Sequence, residues 1–381
     1  MTADSQSCTL LRAVVRRPGL AGTRLQDLAA NVSDWDSLLS LAEQHRVLPM
    51  LFLRLEEMGS AVPEPVRERL HAEYRRNVFH CLANAAELID ILHALGEAAI
   101  PAMPFKGVVL AASVYGDLTR RPAGDLDLLI HRRDLLRATE VLLKRGYELL
   151  TPVLADGSPA ASDYYEYHFE RKSDGMVAEL RWRLELIQPS FKHDLGMDWV
   201  WPLRRTAKLA GADVPDLSPG IALLVLCMHG SKHIWSRLLW ICDVAQLLAA
   251  HPGLNWNEVQ RNAGRSGLWR ALALGVLLAH RVAGAEIPSP VLRRFESDRA
   301  ASRLARHIEK NLFDAPGSAP SGVAPYHIAL MSFPDRLRKL VSLDMLRPNE
   351  RDHAVLKLPK TLHGLYYLVR PIRILFDRSP R

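Results

Sequence analysis

Phe105-Lys106-Gly107-Val108-Val109-Leu110, followed by Tyr115-Gly116-Asp117, Arg121-Pro122 and Gly124-Asp125-Leu126-Asp127-Leu128-Leu129-Ile130, is the stretch that decides the fold. It supplies a glycine turn, an apolar helix and two carboxylates in succession. In Asp125-Leu126-Asp127-Leu128 the alternation is that of a strand, and period-two geometry turns both aspartates to one face and the leucines to the other. Two acids in one small volume raise each other's pKa, so keeping both ionised calls for a cation beside them. Mg²⁺ is the natural guest, because it takes oxygen ligands and is commonly held by one or two carboxylates plus substrate phosphates. The sequence does not choose between Mg²⁺ and Mn²⁺. An isolated Asp-x-Asp also occurs in turns and at solvated strand ends, so its surroundings carry the distinction.

Upstream, residues 98–105 are predicted as a short strand ending at Lys106-Gly107, and residues 108–115 as a helix. Strand, glycine turn, helix and Asp-x-Asp strand resemble the nucleotidyltransferase core, in which the turn and helix start face a triphosphate and the aspartates hold metals. Phe105-Lys106-Gly107, Tyr115-Gly116-Asp117, Arg121-Pro122 and Gly124-Asp125-Leu126-Asp127-Leu128-Leu129 are similar to a bacterial family of uncharacterised nucleotidyltransferases, a branch of the polymerase-beta-like superfamily. Flanking segments resemble it too: Trp35-Asp36, Ala42-Glu43-Gln44-His45, His229-Gly230-Ser231-Lys232-His233, Trp240-Ile241-Cys242-Asp243 and residues 362–371.

The resemblance implies transfer of NMP from an NTP, ATP by default, to an acceptor hydroxyl or amine, with release of pyrophosphate. The acceptor, a small molecule, sugar, peptide or protein, is left open. Under a two-metal scheme Asp125 and Asp127 hold the ion that orients the triphosphate, and Asp127 with a third carboxylate holds the one nearer the acceptor. The family takes that third acid from a later, adjacent strand, which points to Glu179 in Val177-Ala178-Glu179-Leu180-Arg181-Trp182. A solvated edge position paired with Arg181 or Arg183 is the alternative for Glu179. The family pattern has a His two residues after this Glu; here Arg181 stands there, and it cannot give up a proton near neutral pH but can clamp phosphate.

Gly107 lets the backbone approach phosphate, or is a simple strand-to-helix turn. Lys106 stands where many superfamily members have Gly, and can reach a phosphate or pair with Asp117. Arg121 either counters triphosphate charge or is a solvated loop residue. A second polar cluster gathers His229, Lys232, His233 and Asp243. His229 and His233, four apart, share a helix face at a spacing that can bind zinc, but no Glu follows the first His, which removes the metallopeptidase motif. A base for the acceptor and a hydrogen-bonding role between packed helices are the remaining readings.

The fold class expected is α+β: a small mixed-sheet nucleotidyltransferase core at 100–190, flanked by helical regions at 1–99 and 191–381. At 381 residues, 48% hydrophobic and 24% charged, the chain can bury a large core and is not disordered. Ser33 is expected to cap a helix from Asp34 to His45, with a second helix from Pro49 to Met58. A long helix then runs from Val66 to Glu97, with an apolar stripe through Leu82, Ala85, Leu88, Ile89, Leu92 and Leu95. Arg132–Arg145 reads as a helix closed by Gly146, residues 147–153 as a strand, and Tyr164–Arg171 with Met176–Trp182 as a hairpin turning at Ser173-Asp174-Gly175. From Leu195 onward the expectation is helical throughout, including helices from Gly220 to His233 and from Trp235 to Ala250.

The net charge of +7 is compatible with nucleotides or nucleic acid. No interleaved aromatic and basic motif of the RNA-reading kind is present, so an RNA-directed transferase ranks behind a second alternative, a nucleotide-binding protein without turnover. Cys8, Cys81, Cys227 and Cys242 are widely spaced, which argues against a zinc site and suits a reducing cytoplasm. No apolar run approaches the roughly 18 residues of a spanning helix, so no membrane span is expected.

Overall fold

A computed structural model describes residues 5–16, 22–57, 62–159, 164–184, 196–314, 323–331 and 365–366. Four helices, α1 (Ser5–Val15), α2 (Gly22–Ala30), α3 (Trp35–Gln44) and α4 (Leu48–Glu56), precede the 34-residue α5 (Glu64–Glu97). Asp34, not Ser33, caps α3: its carboxylate accepts the Ser37 N–H at 2.9 Å, while Ser33 Oγ turns to Gln6. Along α5 the buried face runs through Cys81, Ala85, Leu88, Ile91 and Leu95. Leu82, assigned to that stripe from the sequence, is 48% exposed, because one step along a helix turns a side chain about 100° from Cys81. By length and composition α5 is the one helix among the described residues that could cross a membrane. Its buried face packs on the sheet, and Glu87 on that face pairs with Arg145 at 3.0 Å and Arg171 at 2.9 Å.

Strands β1 (Ala102–Pro104), β2 (Leu126–Ile130), β3 (Glu148–Leu149), β4 (Glu166–Arg171) and β5 (Met176–Arg181) form a mixed sheet in the order β1-β2-β5-β4-β3. Only β2 and β5 run parallel; the other neighbours are antiparallel. The strand expected over 147–153 shrinks to two residues: the Leu150 N–H still donates to the His168 carbonyl, but the His168 N–H is taken by Thr151 Oγ1 at 2.8 Å, and Pro152 has no N–H to continue the ladder. Val153 is left with an isolated bridge to Pro159. Between β1 and β2 the chain forms α6 (Gly107–Leu110), relaxes into a π turn over Ala111–Tyr115, and stops at Gly116 in the left-handed region, φ 70. Helix α7 (Leu135–Lys144) follows β2.

Alternation along the strands sorts the sheet into two faces. Leu126, Leu128 and Ile130 of β2, Ala178 and Leu180 of β5, and Tyr167 and Phe169 of β4 pack with α5 and α7. The opposite face carries Asp127, Glu179, Arg181, Glu166 and His168, and continues through Leu129 and Met103 into a second core.

The expectation of an all-helical C-terminal half is corrected by a hairpin. After α8 (Met197–Val200), β6 (Arg205–Leu209) and β7 (Ala212–Asp216) pair about Ala210-Gly211, whose φ values are 48 and 90. Its turn uses Ala-Gly rather than the Asn-Gly that announces such a hairpin, so the sequence signal is weak. Helices α9 (Pro219–Lys232), α10 (Leu238–Ala250), α11 (Trp256–Ser266), α12 (Trp269–Ala283), α13 (Ser289–Glu296), α14 (Arg299–Asn311) and α15 (Val323–Leu330) complete the described chain. α10 begins three residues later than expected, because Ile234 and Trp235 take φ of 56 and 53. α12 is apolar almost all round, as a fully buried helix must be, and packs against α9, α10 and α14. One hydrophobic cluster unites α1, α3 and α4 with α9, α10 and α12.

Candidate active site

The acids meet because β2 and β5 lie side by side in register: Asp127 is the direct partner of Glu179, and Leu129 of Arg181. Asp125 stands just before β2, two residues from Asp127 and exposed at the rim. Crowding desolvates its carboxyl and the Glu179 charge repels it, so its pKa rises despite the cations Arg46, Lys106 and His168.

Protein cations stand on this acid face. Lys106 Nζ lies 3.3 Å from Asp127 Oδ1 and 3.5 Å from His229 Nδ1. Lys106 therefore pairs with Asp127, not with Asp117, whose Oδ1 accepts from the Thr119 N–H and Oγ1. The Lys106 backbone adopts φ 66 and ψ −151, a conformation that essentially only glycine takes without strain. Gly107 follows with φ 50.

Arg181, 4% exposed, serves three carboxylates. Its Nη2 lies 3.3 Å from Asp127 Oδ1, its Nη1 2.9 Å from Glu166 Oε2, and its Nε donates to Glu179 Oε2 at 3.1 Å, with Nη2 also on Glu179. Glu179 is thus no solvated edge residue: it is buried within the cluster. The guanidinium carbon is 5.8 Å from the Phe105 ring and 6.0 Å from that of Tyr165. From β4, His168 bridges Glu179 at 3.2 Å and Glu166 at 3.3 Å. Those two carboxylates raise its pKa to about 10, so His168 is an imidazolium at neutral pH. Burial pushes Glu179 upward, but the His168 hydrogen bond and the Arg181 charge outweigh it and hold the carboxyl well below its ordinary value.

The second polar cluster divides in two, and both parts adjoin the first. His229 and Lys232, on the last turn of α9, reach the acid face, the one through Lys106 and the other through a 2.8 Å hydrogen bond to Tyr165 Oη. His229 and His233 pack on Trp240, with His233 stacked at 5.1 Å. Asp243 lies deeper, 1% exposed, and accepts from Arg121 Nε at 2.7 Å, from Arg121 Nη2 at 2.9 Å and from Tyr115 Oη at 2.7 Å. Arg121 is therefore no solvated loop arginine: it is buried, with its guanidinium on Asp243. Its Nη1 also donates to the Gly107 carbonyl at 3.4 Å, so the pair fixes the glycine turn against α10.

Three contributors went unread in the sequence. Glu166 and His168 were legible in principle, because folding the expected hairpin about 173–174 sets His168 opposite Glu179 and Glu166 opposite Arg181. Arg46 leaves no such signal. It sits in the α3–α4 turn at φ 55, with its guanidinium over Gly124 and its charge acting on Asp125.

Asp125, Asp127 and Glu179 suit a hard divalent cation in kind, as oxygen donors, and Asp127 and Glu179 stand directly opposite each other on adjacent strands. They differ from an assembled ligand set in one respect: Lys106 and Arg181 lie on Asp127, and Arg181 with His168 lies on Glu179. Among the described residues no three His, Cys, Asp or Glu side chains are grouped so as to hold an ion in this arrangement.

A glycine turn after an edge strand, leading to an Asp-x-Asp strand whose second acid pairs in register with a Glu, defines a nucleotidyltransferase core. The chain belongs to the family of uncharacterised nucleotidyltransferases, whose model matches residues 31–284. No curated protein matches the chain. The resemblance at 362–371 falls beyond the matched span and, apart from residues 365–366, outside the described residues.

Proposed function

We propose that the protein transfers NMP from an NTP, ATP by default, to a hydroxyl or amine acceptor and releases pyrophosphate. The observation that carries this is the pairing of Asp127 with Glu179 across parallel β2 and β5, with Asp125 two residues before, near enough for the Glu179 charge to act on it. Those three carboxylates are the residues that would hold Mg²⁺ or Mn²⁺. Such ions, when bound, offset charge on the attacking and leaving oxygens.

Around them the chain positions and neutralises. Lys106 and Arg181 can exchange carboxylate oxygens for phosphate oxygens, Arg181 in the bidentate manner of a guanidinium and Lys106 as a point charge. Gly107 keeps the backbone of the turn bare of side chain where the triphosphate approaches. Arg121, held by Asp243, acts through the Gly107 carbonyl and is a positioning residue. His229, against Lys106, is the group best placed to accept an acceptor's proton.

The test is pyrophosphate release and label transfer from each α-labelled NTP with Mg²⁺ or Mn²⁺, using a cell extract as acceptor source. Asp127→Ala should lose transfer by at least about a hundredfold, as loss of one electrostatic stabiliser typically does. A folded protein that binds and turns over no NTP under either metal fails this reading. A second reading, a nucleotide-binding protein without turnover, draws on the protein cations already lying on Asp127 and Glu179. It expects nucleotide binding that survives Asp127→Ala and no release of pyrophosphate.

A further inference from the structure

We propose that Arg181 is a resident counter-ion that a divalent cation must displace before Asp127 and Glu179 can hold it together, so that the guanidinium sets the affinity for metal alone. The inference rests on the reading of Asp125, Asp127 and Glu179 as the metal-holding residues.

Arg181 lies two residues after Glu179 on the same strand face, opposite Leu129, so its side chain turns back over the Asp127–Glu179 pair. It touches Asp127, Glu179 and Glu166 at once and is almost wholly buried. Both acids that would share the ion already carry this guanidinium: Arg181 Nη2 lies 3.3 Å from Asp127 Oδ1, and its Nε donates to Glu179 Oε2 at 3.1 Å. A divalent ion bridging those two carboxylates would stand against a buried cation, a repulsion that is costly where water is scarce. The guanidinium has to move.

Arg181 cannot leave by losing its proton, so it must swing. Glu166 keeps hold of Nη1 at 2.9 Å, and the Phe105 and Tyr165 rings flank the guanidinium as surfaces over which it can turn. An arriving triphosphate offers it new acceptors. The metal therefore enters more readily with a nucleotide than by itself.

The experiment is titration of the full chain with Mn²⁺ in the absence of nucleotide, following loss of the electron paramagnetic resonance signal of free Mn²⁺. Arg181→Gln is expected to bind Mn²⁺ at least about tenfold more tightly than the unaltered chain, and adding Asp127→Asn to abolish that gain. Arg181→Lys, which keeps the charge and loses the fork, should fall between. Equal or weaker affinity in Arg181→Gln overturns the proposal. Circular dichroism checks that each variant is folded. Should Arg181→Gln fail to fold, Arg181→Lys decides, with a gain of about threefold supporting the proposal and no gain overturning it. A chain that transfers label from NTP while Arg181→Gln gains no Mn²⁺ affinity keeps the proposed function and loses this inference. A chain that binds no Mn²⁺ in any variant, nucleotide present or absent, loses both.

Discussion

Lys106 is held in a backbone conformation that costs about 1–3 kcal/mol for a residue with a Cβ. Backbone hydrogen bonds on either side hold it there: the Phe105 N–H donates to the Asp127 carbonyl at 3.2 Å, and the Leu110 N–H to the Lys106 carbonyl at 3.1 Å. Comparing two truncations isolates the backbone: Lys106→Gly should be more stable than Lys106→Ala by about 1–2 kcal/mol in urea unfolding, although both lose the same ammonium. Equal stabilities would mean an unstrained turn. His45 gives a pH-dependent case. Burial, reinforced by the charge of Arg237, lowers its pKa to about 4, and its neutral Nδ1 accepts the Leu238 N–H at 3.1 Å. Between pH 6.5 and 4 the unfolded chain takes a proton that the folded chain refuses, so stability falls as pH falls through that window. Urea unfolding at pH 7 and 4.5 should show a loss about 2–3 kcal/mol larger in the unaltered chain than in His45→Gln. Asp243→Asn should be more damaging still, by about 3–5 kcal/mol, since it leaves the Arg121 charge buried without its partner. A thermal melt reads it directly.

At the scale of elements, the packing of α9 on α12 leans on two glycines. A Cβ at Gly230 would stand 2.5 Å from the Trp235 ring, and one at Gly275 would press on both Trp235 and Cys227. Gly230→Ala and Gly275→Ala should each cost about 1–3 kcal/mol through overpacking, measured as a lowered midpoint of chemical denaturation. The elements also show what a sequence discloses. The β4–β5 hairpin was legible because its turn and alternating faces are local, as was the Asp-x-Asp strand. The adjacency of β2 and β5 was legible only through family resemblance, because no local pattern specifies which strand a parallel partner will be. The β6–β7 hairpin was missed through its weak turn. The partner of Arg121, Asp243, was not legible because it comes from a helix far along the chain.

At the scale of the molecule, the sheet and the helices do not read as separable bodies. Met103, Phe105 and Leu129 of the sheet region lie in the same apolar cluster as α1, α4, α9 and α12. His45, from the N-terminal helices, accepts the first N–H groups of α10 with its ring and its carbonyl. Heating should therefore give one transition, with near-UV and far-UV circular dichroism coinciding, and limited proteolysis should release no folded fragment spanning 100–190. Two separated transitions would show that the core stands alone. This interdependence is also why Arg46 escaped the sequence: a residue's proximity to Asp125 is a property of the assembled whole.

The parallel pairing of β2 with β5 bears on how the chain comes together. Some fifty residues separate Asp127 from its partner, so the ladder between them forms after the local hairpins, once a long loop has closed. The late strand would carry an acid toward an acid, a collision that should slow docking. It carries Glu179 and Arg181 on the same face, and docks with no net charge of its own. The residue that guards the finished site is thus also the one that lets its last wall be put in place.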